Sequence, residues 1–165
     1  MKLIIAMTLI TMTLQINAQD SDTHVSVNGM EVNWRHQKNK IIFEVKAPTE
    51  GWVTVGFNET QAITGAYLLM GRVREMQPEV VEHVTLSPGN YKPISKKNDQ
   101  CRLTVIEGKE TKNSTNITFS VESGPDCQYQ KILKKGMSYW MVLAYSVDDD
   151  FQHHSIMRTA VRVVL

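Results

Sequence analysis

The chain has two cysteines, Cys101 and Cys127, no basic run, and no sustained apolar period of 3.6 residues after residue 18. Without the helical period, helix bundles and parallel sheets with helical crossovers are excluded. Charge is balanced, 18 Lys and Arg against 17 Asp and Glu. The only basic doublets beyond the N-terminus, Lys96-Lys97 and Lys134-Lys135, are too short to grip a phosphate backbone, which argues against nucleic acid as a partner. An HExxH pair, zinc-ribbon spacing, a G-x-S-x-G elbow, a phosphate-binding glycine loop and G-x-G-x-x-G are all missing. The residues therefore give no argument for a catalyst acting alone, and no catalytic or metal-binding residue is assigned.

The longest uncharged apolar run covers residues 3–14, well under the ~20 residues a membrane-spanning helix needs. It follows Met1-Lys2 and precedes Gln15-Ile16-Asn17-Ala18, the order of a cleavable secretory leader. The expectation is cleavage near Ala18 and a secreted or periplasmic protein with no membrane span. Removing the leader takes away Lys2 and no acid, leaving 17 basic against 17 acidic residues. Residues 19–28 read as a lead-in and 29–165 as one domain. In an oxidising compartment Cys101 and Cys127 are expected to form a disulfide, two buried thiols being the alternative.

Short segments rich in Val, Ile, Thr and aromatics recur between turn-formers, at residues 25–27, 32–34, 40–46, 52–58, 66–73, 80–86, 102–107, 116–122, 139–146 and 159–165. Pro88-Gly89-Asn90, the polar stretch 108–115, Gly124-Pro125-Asp126 and Asp148-Asp149-Asp150 separate the later ones. Many short strands with regular turns predict an all-β sandwich or barrel. Ile41, Phe43 and Val45 share one face of their strand. Residues 139–145 are apolar throughout, which predicts a strand covered on both faces. Trp52 and Trp140 are expected to be buried, on opposite or adjacent sheets.

The densest polar cluster is Asp148-Asp149-Asp150-Phe151-Gln152-His153-His154-Ser155. Carboxylates and imidazoles this close can hold a metal, or one His can ligate haem iron; the alternative is a solvated hairpin loop. Met70, Met141 and Met157 lie in or beside strands, where Met fills core gaps or supplies a thioether ligand.

Gly51-Trp52-Val53-Thr54-Val55-Gly56-Phe57-Asn58 followed by Gly65-Ala66-Tyr67-Leu68-Leu69-Met70-Gly71 resembles the signature of the DOMON domain family. In the family's order come Asn116-Ile117-Thr118-Phe119-Ser120, the strand from Tyr139 to Tyr145, and His154 four residues before Arg158. The resemblance spans roughly residues 29–164 and implies an immunoglobulin-like antiparallel β-sandwich with a ligand pocket between strand ends. It further implies a module that binds haem b or a carbohydrate, outside the cytoplasm and beside a redox partner protein. In haem-binding members a Met in the loop before the Gly-Ala strand and a C-terminal His hold the iron. Here that loop, residues 59–64, carries Ile63 near the Met position, so Met70 is the thioether candidate. His154 is preferred over His153 by its spacing to Arg158. Tyr67 stands where many members have Asp. For a carbohydrate the platforms would be Trp52, Tyr67 and Tyr145. A structural or adhesive module holding a partner protein, with no small ligand, is the alternative.

Overall fold

A computed structural model describes residues 23–94, 103–124 and 128–165. Both cysteines and the leader fall outside these residues. Eleven strands form among the described residues, with no helix: β1 His24–Val27, β2 Met30–Gln37, β3 Lys40–Ala47, β4 Val53–Asn58, β5 Tyr67–Arg74, β6 Gln77–Ser87, β7 Asn90–Pro93, β8 Leu103–Thr111, β9 Ser114–Glu122, β10 Ser138–Tyr145 and β11 Met157–Val164. They build a five-stranded sheet, β1-β2-β3-β9-β8, and a six-stranded sheet, β11-β10-β4-β5-β6-β7. Every described pairing is antiparallel: two-residue turns join β1-β2, β2-β3, β5-β6, β6-β7 and β8-β9, while β3-β9 and β4-β10 bring together strands far apart in the chain.

The sheets close face to face because each strand turns alternate apolar side chains inward. Ile41, Phe43 and Val45 of β3 meet Val53, Val55 and Phe57 of β4 in one core. Phe43 lies 5.5 Å from Phe57 and 5.7 Å from Phe119 by ring centroid, and Phe57 meets Tyr139 edge-on at 6.1 Å. The chain is an all-β, immunoglobulin-like antiparallel sandwich.

Three features depart from the sequence expectation. β7 lies where only a turn and loop are legible, because four residues ending in Pro93 carry little strand pattern and are recruited by the backbone of β6. The polar stretch 108–115 is mostly strand: β8 and β9 pair from Leu103↔Val121 to Thr111↔Ser114, leaving Lys112 and Asn113 as the turn. Trp52 and Trp140 sit on the same sheet, since β10 pairs directly with β4. Trp52 is buried, whereas Trp140 is half-buried. β10 is apolar on both faces: Met141 and Leu143 enter the inter-sheet core, and Val142 and Ala144 enter a second apolar cluster on the outer face.

Candidate functional site

The second cluster sets the site. Strand alternation turns Thr54 of β4, Leu68 and Met70 of β5, and Val142 and Ala144 of β10 away from the inter-sheet core. The register puts Ala144, Thr54 and Met70 side by side across three strands, and Val142, Gly56 and Leu68 in the next row. Gly56 keeps this floor low: a Cβ there would stand 2.5 Å from Leu68 Cδ2 and 3.4 Å from Val142 Cβ. An outer sheet face this apolar needs cover, and the segment between β10 and β11 helps supply it.

That segment is tied down at several points. Trp52 N donates to the Asp148 carbonyl at 3.1 Å, and its indole Nε1 donates to the His153 carbonyl at 3.3 Å. Ser146 Oγ donates to the His154 carbonyl at 3.0 Å, Arg72 Nη1 to the Asp149 carbonyl at 2.8 Å, and the Tyr91 hydroxyl to the Phe151 carbonyl. Asp148 and Asp150 carboxylates accept from the Asp150 and Gln152 amides, so the acidic turn caps its own backbone.

Between loop and sheet lies a cleft lined by Trp52, Thr54, Ile63, Leu68, Met70 and Tyr91, with Val142 and Ala144 in the floor and Gln152, His154, Ser155 and Arg158 at the loop side. Its enclosed room is about 90 Å³, and about 650 Å³ counted through its open mouth. The hydroxyls of Thr54 and Thr85, both on the lining, are buried without a protein partner. Beside it His83, 1 % exposed, stacks edge-on against Tyr91 at 5.8 Å and Phe151 at 5.5 Å. Burial holds its imidazole below the usual histidine range, against the opposing pull of the Val81 carbonyl. That carbonyl, 3.1 Å from Nδ1, can only accept, so it fixes the ring proton on Nδ1. Burial likewise pushes the Asp149 carboxyl and the Tyr91 phenol up.

Of the residues singled out in the sequence, Met70, His154 and Trp52 come together on this cleft, and Ile63 joins them. His153 is exposed and contributes its carbonyl; its side chain is not part of the lining. Tyr67 and Tyr145 face the other way. Tyr67 is fully buried between the sheets with its hydroxyl on Glu82, and Tyr145 packs against the same inter-sheet core and reaches the Asn28 carbonyl at 3.4 Å. Strand parity carries that signal: Tyr67 is three residues from Met70, and Tyr145 adjoins Ala144, so neither shares the cleft's face. The cleft itself lies on the outer face of the six-stranded sheet, beneath a loop, instead of between strand ends. Tyr91 was not foreseen, because it arrives on β7.

Comparison with known proteins agrees with this architecture. The cytochrome b domain of pyranose dehydrogenase from Coprinopsis cinerea superposes with a TM-score of 0.60 at 12% identity, covering 82% of this chain and 76% of that one. The cytochrome domain of Myriococcum thermophilum cellobiose dehydrogenase gives 0.58 at 10% identity, over 88% and 78%. At these identities the likeness is one of fold. The DOMON domain family model matches residues 15–146, ending just before the loop that carries His154. With most of its length matched, and with the sandwich the family signature implies, the chain belongs to the DOMON domain family.

Proposed function

We propose that this chain is a ligand-binding module of extracytoplasmic electron transfer, with haem b as its ligand. One observation carries the reading: a thioether on β5 and an imidazole from the distant β10–β11 loop, Met70 and His154, line the same apolar cleft. That donor set is the Met/His pair of electron-carrying haem proteins, and Arg158 at the mouth offers a cation for a carboxylate. The enclosed room is smaller than the ~300–1,000 Å³ of ordinary ligand pockets, so admission of a macrocycle requires the loop to lift. Side-chain donors hold residues 149–153 of that loop, with a backbone bond from Trp52 N to the Asp148 carbonyl at its start, where continuous strand pairing would be far harder to break. The bound group would supply a one-electron couple; the chain binds it, excludes water with Leu68, Val142 and Trp52, and fixes its orientation. The likeness to two cytochrome domains supports this reading at the level of fold.

The test is reconstitution with haemin. The parent is expected to develop a Soret band that His154→Ala abolishes, Met70→Ala shifts and His153→Ala leaves in place; absence of the band in the parent overturns the reading. A carbohydrate is the second reading, favoured by the Trp52 and Tyr91 rings and the unpartnered Thr54 and Thr85 hydroxyls around a small enclosed space. Calorimetric titration with simple sugars distinguishes it.

A further inference from the structure

The segment carrying His154 meets the sheet in an unusual way: its carbonyls accept, and its own polar side chains do little of the holding. The carbonyls of Asp149, Phe151, His153 and His154 take hydrogen bonds from Arg72, Tyr91, Trp52 and Ser146. This leaves Gln152, His154 and Ser155 to face the cleft. Among the four donors Arg72 alone combines a hydrogen bond to the loop with a cation–ring contact, whereas Trp52 bonds it through its backbone and indole N–H groups. Arg72 Nη1 donates to the Asp149 carbonyl at 2.8 Å, while its guanidinium carbon lies 4.3 Å from the centre of the Phe151 ring. Its remaining edge is fixed, Nε and Nη2 both donating to Glu79 Oε2 at 2.8 and 2.7 Å. Phe151 is thereby held between Arg72 and the edge of His83, with its carbonyl on Tyr91.

We propose that Arg72 is the positioning residue of the cleft: anchored to Glu79, it latches the 148–154 loop onto the sheet and so fixes where His154 stands above the floor formed by Met70. Arg72 lies two residues from Met70 on the same face of β5, so one strand sets both the floor and the latch. Only a planar, three-edged cation can stack on a ring, bond a carbonyl and hold a carboxylate together; the point charge of lysine cannot. The inference rests on the cleft being the ligand site, but the latch itself is a property of the free protein.

The experiment uses the full exported chain and Arg72→Lys, which keeps the charge and removes the fork. Hydrogen exchange of the unliganded protein should show amides 149–154 exchanging about tenfold faster than in the parent, the loss of one hydrogen bond from a charged donor to the Asp149 carbonyl, with β3 and β9 amides unchanged. With haemin, the variant should give the spectrum of His154→Ala while keeping the parent's melting temperature within a few degrees. Unchanged loop exchange overturns the latch, and so does acceleration spread evenly through the sandwich, which would mark Arg72 as merely structural. If the parent takes up no haemin, the haem reading falls alone, and the exchange result still decides the latch.

Discussion

His83 lies between the Tyr91 and Phe151 rings, and the charges facing it are Arg72 from β5 and Glu79 from its own strand. Its folded pKa is lowered, chiefly by desolvation, so below the unfolded value of about 6.5 the unfolded chain binds the proton more readily than the folded one. Stability is therefore full above about pH 6.5 and falls as the pH drops from there toward the folded pKa. His36, also lowered by burial, works in the same direction, so the informative quantity is a difference. His83→Phe, which keeps an aromatic in the slot, should flatten the decline of melting temperature between pH 7 and 5 relative to the parent; an identical decline would show that His83 does not titrate in that window. The two tryptophans offer a second comparison. Trp52→Ala removes a ring only 3 % exposed and should cost roughly 3–5 kcal/mol in urea unfolding. Trp140→Ala, half-buried on the same sheet, should cost clearly less.

At the scale of elements, the Gly51-Trp52 pair that immediately precedes β4 gains a physical meaning. A Cβ on Gly51 would collide with backbone atoms of Ser146, Val147 and Asp148, which cannot swing aside as a side chain can. The glycine lets β4 enter beneath the β10–β11 loop, and Trp52 then bonds that loop by backbone and indole together. Gly51→Ala should therefore destabilise the fold by about 1–3 kcal/mol and raise exchange in the 147–154 amides first; equal exchange would show that the close approach is not needed. The need for a glycine there is visible only once β4 and the loop are adjacent. Strand parity was legible from the start: counting in twos along β5 puts Leu68, Met70 and Arg72 on one face and Tyr67, Leu69 and Val73 on the other. Which of those faces looks outward is not written in the strand, since both are apolar near Met70.

For the whole molecule, the two sheets are joined through Phe43, Phe57, Phe119 and Tyr139, one aromatic after another across the interface. Phe43→Ala should cost roughly 3–5 kcal/mol, read from the urea midpoint, because the surrounding rings come from both sheets and cannot all close the gap. Ligand binding offers an independent measure of the cleft. At a hundredfold excess over Kd, haemin should stabilise the parent by about 2.7 kcal/mol and His154→Ala by much less, read as a thermal shift. The all-β class, ten of the eleven strands and the DOMON resemblance came from the sequence alone, because alternation and turn residues are local and each strand carries its own pattern. Met70, Trp52 and His154 were identifiable as candidates through the resemblance, Trp52 and Met70 lying in its signature segments and His154 at its spacing from Arg158. Their meeting place was decided by tertiary structure: β4, β5 and β10 must pair in register, β7 must add Tyr91 at one side, and a loop between β10 and β11 must fold back on the outer sheet face. Those are contacts between residues far apart in the chain, and no local periodicity encodes which of a sheet's two apolar faces will be the one left open to a ligand.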